Sequence, residues 1–315
     1  MRRQYVLFCC FCLLLAPLIW IYAFHGLYGI NVVLRRGGSI WPEVARDDSR
    51  LSGAVRLALA GATGTPGEII WSVQRPGFEV AELPVLFQGK AVDHVLLARI
   101  DPTLWTLSVH SAPAGDHDID RWMRQLNAAL VVNGSYFDAK GHPDTPFISN
   151  GVTLGPVEYL ASHGAFVASS AGARVIDLKG RNWHDVVGGA TNAMVSYPML
   201  IGDDGQSRAK PSKWLAGRSF IGQDRANRIV IGTTVDAFMT LDQFALLLRD
   251  SSLDLATALN LDGGTLACQS IAVGDYRRRT CGAQELQVDG DNIKLLQSII
   301  PSEWALPIVL AVTAK

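Results

Sequence analysis

The stretch TLDQFALLLRDSSLDLATALNLDGGT, residues 240–265, passes through three conformational regimes in one short run. Thr240 stands at an N-cap position with Gln243 three residues on, the spacing of a capping box. Leu241, Phe244, Leu247 and Leu248 then share one face of a helix. Beyond the two serines the pattern becomes a continuous apolar run, LATALNL, which reads as a buried strand. That run stops at Asp262-Gly263-Gly264-Thr265. The same order occurs earlier: Ile119, Trp122, Met123 and Leu126 follow Asp118 at helical spacing, AALVV follows them, and NGSYFD (133–138) ends the run. Strands ending in polar glycine turns tend to present ligand sites, so the two turns predict two sides of one cleft.

The remaining pattern is mostly β. VDHVLLARID (92–101) and LWTLSVHSA (104–112) read as strands divided by an Asp-Pro turn. GRSFIGQDRANRIVIGTTVD (217–236) reads as a hairpin about Asp224–Asn227, and PSEWALPIVLAV (301–312) as the closing strand. A short alternating strand is expected near 54–60, with a Gly/Pro turn at 61–67. Together these predict an α+β fold, a mixed and largely antiparallel sheet with a few flanking helices, preceded by one transmembrane helix.

That last element rests on residues 5–30, which are almost wholly apolar. As a helix they extend about 39 Å, enough to cross a ~30 Å hydrocarbon core. Trp20, Tyr22 and Tyr28 suit an interfacial belt, and Arg2-Arg3 favour a cytoplasmic N-terminus, an orientation that Arg35-Arg36 weaken. An uncleaved anchor and a cleaved signal both imply export, so the soluble domain is expected on the periplasmic or extracellular side. The expected organisation is 1–30 as anchor or signal, 31–68 as tether and lead-in, and 69–315 as the functional domain. A formal net charge of −1 excludes a nucleic-acid footprint.

Cys9, Cys10 and Cys12 lie in the apolar segment, as small hydrophobes or lipidation sites. Cys268 and Cys281 are either a disulfide or two buried thiols. Neither has Cys or His neighbours at ligand spacing, so no metal or cofactor is expected. Asp203-Asp204-Gly205 reads as a solvated turn, and Arg277–Arg279 as a solvated face.

Asp262 before two glycines places a carboxylate beside bare backbone, and the N–H groups of Gly263, Gly264 and Thr265 are candidates for an anion-binding nest. VVNGSYFD, SNGV, SYPMLIGDDG, GRSFIGQD and ALNLDGGT, in that order, resemble the phosphodiester glycosidase family, over about Trp71 to Val312. The resemblance implies a site formed by Asn133, Gly134, Tyr136, Phe137, Arg218, Asn260, Asp262, Gly263 and Gly264. Two positions depart from the family pattern: Ser135 replaces a common glycine, and Thr265 follows DGG where glycine and then serine are usual.

The implied activity is hydrolysis of a sugar-1-phosphodiester in an envelope glycan, exopolysaccharide or glycoconjugate. A phosphate monoester is a good leaving group, so phosphate binding and stabilisation of an oxocarbenium-like centre matter more than acid assistance. Asp262, Arg218 and Asp236 are the catalytic candidates, with Asp138 and Glu158 as other second carboxylates. Asn133, Gly134, Tyr136, Phe137, Asn260, Gly263, Gly264 and Thr265 are the substrate-binding candidates. The rival readings are a non-catalytic module for phosphate-bearing glycan and a metal-assisted phosphodiesterase.

Overall fold

The computed structural model describes residues 2–159, 163–300 and 302–315, with side chains from residue 15 onward. The side chains of Arg2-Arg3 and of the cysteines at 9, 10 and 12 lie outside the described set. An N-terminal helix, Arg2–Arg36, leads into an α+β body whose strand pairs among the described residues are all antiparallel.

The central sheet has eight strands. Met199–Ile201, Leu255–Asn260, Ser219–Asp224, Ile229–Thr234, Lys90–Ile100, Phe78–Phe87 and Thr65–Pro66 lie in that spatial order, and Ser72–Arg75 also pairs with Phe78–Phe87. Both faces of this sheet are covered, which explains its unbroken apolar runs. Leu96, Ala98, Ile221, Ile231 and Leu259 point into one core, and Val95, Leu97, Phe220 and Val230 into another.

The first core is closed by two five-stranded sheets. One contains Leu130–Asn133 between Cys268–Val273 and Ile308–Ala314; the other is built around Asn192–Ser196 and Gly164–Ser169. The second core is closed by the helix Leu241–Asp250, which buries Phe244, Ala245, Leu247 and Leu248. Its capping box forms as its sequence predicts, with the Thr240 N–H donating to Gln243. The helix Ile119–Leu126, capped by Asp118, covers the outer face of the Leu130–Asn133 sheet with Ile119 and Trp122.

Residues 53–59 are a helix, not the alternating strand expected near 54–60. Ser52 caps Gly53–Leu59 by accepting from the Val55 N–H, and Ala54, Val55 and Ala58 face the body. Seven residues of small and branched side chains fit either period, and the cap decides the outcome. Within the expected lead-in, Ser39–Ile40 and Glu43–Val44 pair with Gln297–Ser298 and Asn292–Leu295. Leu51 and Val55 are buried against Leu286 and Ile293.

Cys268 and Cys281 face each other across paired strands and form a disulfide. Arg278 and Arg279 pair with Glu82, Asp120 and Glu303 at the surface.

Candidate functional site

Asn133 and Asn260 end strands of different sheets, yet their turns are hydrogen-bonded to each other. The Asp262 N–H donates to the Gly134 carbonyl at 2.9 Å, and Asn133 Nδ2 donates to the Asp262 carbonyl at 2.7 Å. Asn133 Oδ1 in turn accepts from the Cys268 N–H at 3.0 Å. Asn133, expected among the substrate-binding residues, thus spends its amide on fastening one turn to the other. Gly134 is required by packing on its other side, because a side chain there would strike Ile308 and Met194.

Asn260 is placed differently. It is 2% exposed, its Nδ2 donates to Tyr136 Oη (2.8 Å) and to the Tyr197 carbonyl (3.1 Å), and its Oδ1 is buried without a donor. A buried acceptor of this kind is costly unless a ligand supplies the donor. The Tyr136 ring stacks on Tyr197 with centroids 4.4 Å apart. Burial raises the Tyr136 phenol well above its ordinary value, so it stays protonated.

The glycine turn itself departs from the expected anion nest. The Gly263 N–H donates to Asp262 Oδ1 (2.8 Å) and the Gly264 N–H to the Gly217 carbonyl (2.9 Å). Both glycine donors are therefore engaged within the protein. The glycines have a packing cause instead. Gly264 sits at φ +69°, the Glu285 carboxylate fills the space its Cβ would take, and Gly217 and Gly282 lie against it. Replacing Gly264 by alanine combines left-handed strain with displacement of Glu285. We expect a loss of about 1–3 kcal/mol of folding stability, read as a lowered denaturant midpoint at unchanged m-value.

Arg218 precedes the strand Ser219–Asp224 and is only 8% exposed. One guanidinium nitrogen donates to the Trp214 carbonyl at 2.8 Å, Nε has no partner, and no carboxylate lies within ion-pair distance among the described residues. Its other terminal nitrogen lies beside Gly263, 3.6 Å from where a Cβ there would stand. Burial pushes the guanidinium below its ordinary value, the mark of a cation held without full compensation.

Asp262 completes the cluster. Burial raises its carboxyl to about 7, the Gly263 N–H partly offsets the rise, and the charges of Glu285 and Asp144 add to it. Glu285 is itself raised, first by burial, with Arg218 pulling the other way. Glu285 was absent from the sequence candidates. It lies in a polar strand, Glu285–Asp289, and reaches the site through its register opposite Ala216, next to Gly217 and Arg218.

The other candidate carboxylates make no described side-chain contact with Asp262 or Arg218, although the Thr234 hydroxyl that accepts from the Arg218 N–H also donates to the Asp236 carbonyl. Asp236 follows the strand Ile229–Thr234, and its N–H donates to buried Asp93 at 3.0 Å. None of the contacts described for Asp262, Arg218 or Tyr136 involves it. Asp138 turns its own loop, accepting from the N–H groups of Lys140 and His142. Glu158 is exposed on a loop. Phe137 packs at the edge of the main core and meets the ring of Tyr28 from the N-terminal helix, with centroids 5.4 Å apart.

The family described as Phosphodiester glycosidase matches residues 126–287, more than half of the chain and the span that contains every residue of this cluster apart from Tyr28. No curated protein matches in sequence. Similar solved structures include the zebrafish N-acetylglucosamine-1-phosphodiester alpha-N-acetylglucosaminidase catalytic domain auto-inhibited by its pro-peptide (15% identity, TM-score 0.49, covering 90% of this chain and 93% of that one). A hypothetical protein from Synechocystis is 16% identical, with TM-score 0.46 and 79% and 64% coverage. A putative exported protein from Burkholderia pseudomallei is 11% identical, with TM-score 0.45 and 70% and 74% coverage.

Proposed function

The chain belongs to the phosphodiester glycosidase family, and from that premise we propose that it hydrolyses the glycosidic C–O bond of a sugar-1-phosphodiester. The observation that carries this reading is Arg218. A buried guanidinium without a carboxylate partner destabilises the empty protein, and a phosphate that accepts its two free edges would compensate it. The substrate belongs to an envelope glycan, exopolysaccharide or other glycoconjugate, reached on the exported side of the membrane.

In this reading Arg218 holds the phosphate that leaves, and Asn260 Oδ1 accepts from a sugar hydroxyl. Asp262, as a carboxylate, stabilises the positive charge developing at the anomeric carbon and takes a proton from the attacking water. The C–O bond breaks with its electron pair left on the phosphate oxygen, so a good leaving group departs without an obligatory acid. Burial, with the charges of Glu285 and Asp144 adding to it, raises the Asp262 carboxyl to about 7, which suits a base at neutral pH. Asp262 must be ionised to act, so kcat/KM rises with pH through about 7.

The test is turnover by the full-length chain in detergent on a panel of glycosyl phosphodiesters, in heavy-oxygen water. Expected are free sugar carrying the label and an unlabelled phosphomonoester. Label in the phosphate would instead assign attack at phosphorus, the metal-assisted phosphodiesterase. Binding without turnover, retained in Asp262→Asn, would leave a non-catalytic glycan module.

A further inference from the structure

The N-terminal helix is part of the site. Its backbone breaks at Gly26 (φ 58°, ψ −154°), and the two halves have different surroundings. Before the break, Leu18, Ile19, Trp20, Tyr22 and Phe24 are all exposed. Residues 2–25 extend about 36 Å as a helix, sufficient for a ~30 Å hydrocarbon core. After the break, residues 27–36 dock on the body. Asn31 Nδ2 donates to the Ala114 carbonyl at 2.6 Å, Arg36 lies over the Trp304 ring at 3.7 Å, and Tyr28 packs on Gly115 and Phe137. Burial first, and then the charge of Asp262, raise the Tyr28 phenol to about 12. The step from Gly26 to Tyr28 is about 3 Å along a helix axis. No linker separates the apolar segment from the cleft.

The docked half keeps an apolar side outward. Leu27 and Leu34, seven residues apart and so on one stripe, are 58% and 67% exposed. Near its end, Ile299 and Ile300 are exposed beside Gly37 and the Arg36 carbonyl. Lys140 lies beside the break and Arg35, near the other end of the docked half, is exposed, so cations flank the apolar stripe. A helix with an outward apolar stripe and flanking cations fits the headgroup boundary of a bilayer. The turn that carries Phe137, on which Tyr28 packs, then lies close to that boundary.

Building on the sugar-1-phosphodiester reading, we propose that the substrate is a glycosyl phosphate whose second phosphate ester carries a lipid chain embedded in the same membrane. The sugar and phosphate enter between the Asp262 turn and Arg218, and the lipid chain stays in the bilayer along the docked helix. Water adds to the anomeric carbon, the bond to the phosphate oxygen breaks, and the products are free sugar and a lipid phosphate monoester.

The experiment reconstitutes the full chain in vesicles and compares a long-chain isoprenyl glycosyl phosphate in that bilayer with its soluble short-chain alkyl analogue. Confinement to the membrane is expected to favour the long-chain substrate by about 10–100-fold in kcat/KM. A flexible Gly-Ser insertion of about 12 residues after Phe24, combined with Leu27→Glu and Leu34→Glu so that the docked stripe no longer seats at the headgroup boundary, lets the body stand roughly 20 Å from the bilayer. It should remove the preference while leaving short-chain hydrolysis unchanged. Equal rates on both substrates, or a preference that survives the insertion, would overturn the proposal and leave the hydrolase reading intact. Hydrolysis of neither substrate would overturn both.

Discussion

Asp262→Asn is expected to lower kcat/KM by about a thousandfold or more and, in the same protein, to raise thermal stability at pH 8. The activity loss follows from removing the carboxylate of the residue through which the two turns are hydrogen-bonded to each other. The stability gain follows from the direction of its titration. Burial lifts the Asp262 carboxyl from an ordinary 3.8 to about 7, so the native state holds its proton more tightly than the unfolded chain. Stability from this group therefore falls as pH rises from about 4, and the full cost is present above about 7. Asparagine keeps an Oδ1 to accept from the Gly263 N–H but never ionises. The difference between variant and wild type should be near zero at pH 4 and ~2–4 kcal/mol at pH 8, a Tm increase of roughly 5 °C or more. Thermal unfolding at both pH values reads it directly. An equal shift at both would show that ionisation of Asp262 is not its cause.

The frame of this site was legible because its two strands announce themselves. LVV at 130–132 and LATALNL at 255–261 are buried on both faces, which leaves apolar runs that stop where the chain must turn. The capped helices before them fixed the boundaries, and the family motifs brought Arg218 to the same place. Two features were invisible for different physical reasons. Glu285 has no motif around it; its place beside Gly264 depends on a pairing register between Trp214–Ala216 and Glu285–Asp289, which composition does not encode. The glycine N–H groups looked open because a turn was visible but its packing partners were not. Glu285, distant in sequence, together with a positive φ makes Gly264 necessary, and the Gly264 carbonyl in turn leaves no room for a side chain at Gly217 or Gly282. Asp236, suggested by its place before the Thr240 helix, has its backbone N–H tied to Asp93. The helix at 53–59 was decided by one hydroxyl, Ser52, too small a signal to outweigh an alternating pattern.

Arg218→Met provides the sharpest separation between binding and folding. Methionine keeps much of the apolar stem and removes a buried charge that no carboxylate neutralises. Removing one member of a buried ion pair normally costs stability because the other is stranded; here Glu285 loses a favourable charge and the Trp214 carbonyl a donor, but neither is ion-paired with Arg218, so the folding cost should stay within about 1–2 kcal/mol. Phosphate should behave in the opposite way. At a concentration of about 100 times its Kd, inorganic phosphate should stabilise the wild type by roughly 2.7 kcal/mol, and the methionine variant not at all. Turnover of a glycosyl phosphodiester should fall about 10²–10³-fold in kcat/KM. Arg218→Lys should lie between, because an ammonium keeps the charge but loses the planar fork that engages two phosphate oxygens at once. Thermal shifts with and without phosphate, run beside the kinetics, distinguish the possibilities. A methionine variant that unfolds readily but still responds to phosphate would make Arg218 a structural residue and move the phosphate site elsewhere. A stable variant blind to phosphate would place the leaving group at the junction of the strand carrying Arg218 and the turn carrying Asp262.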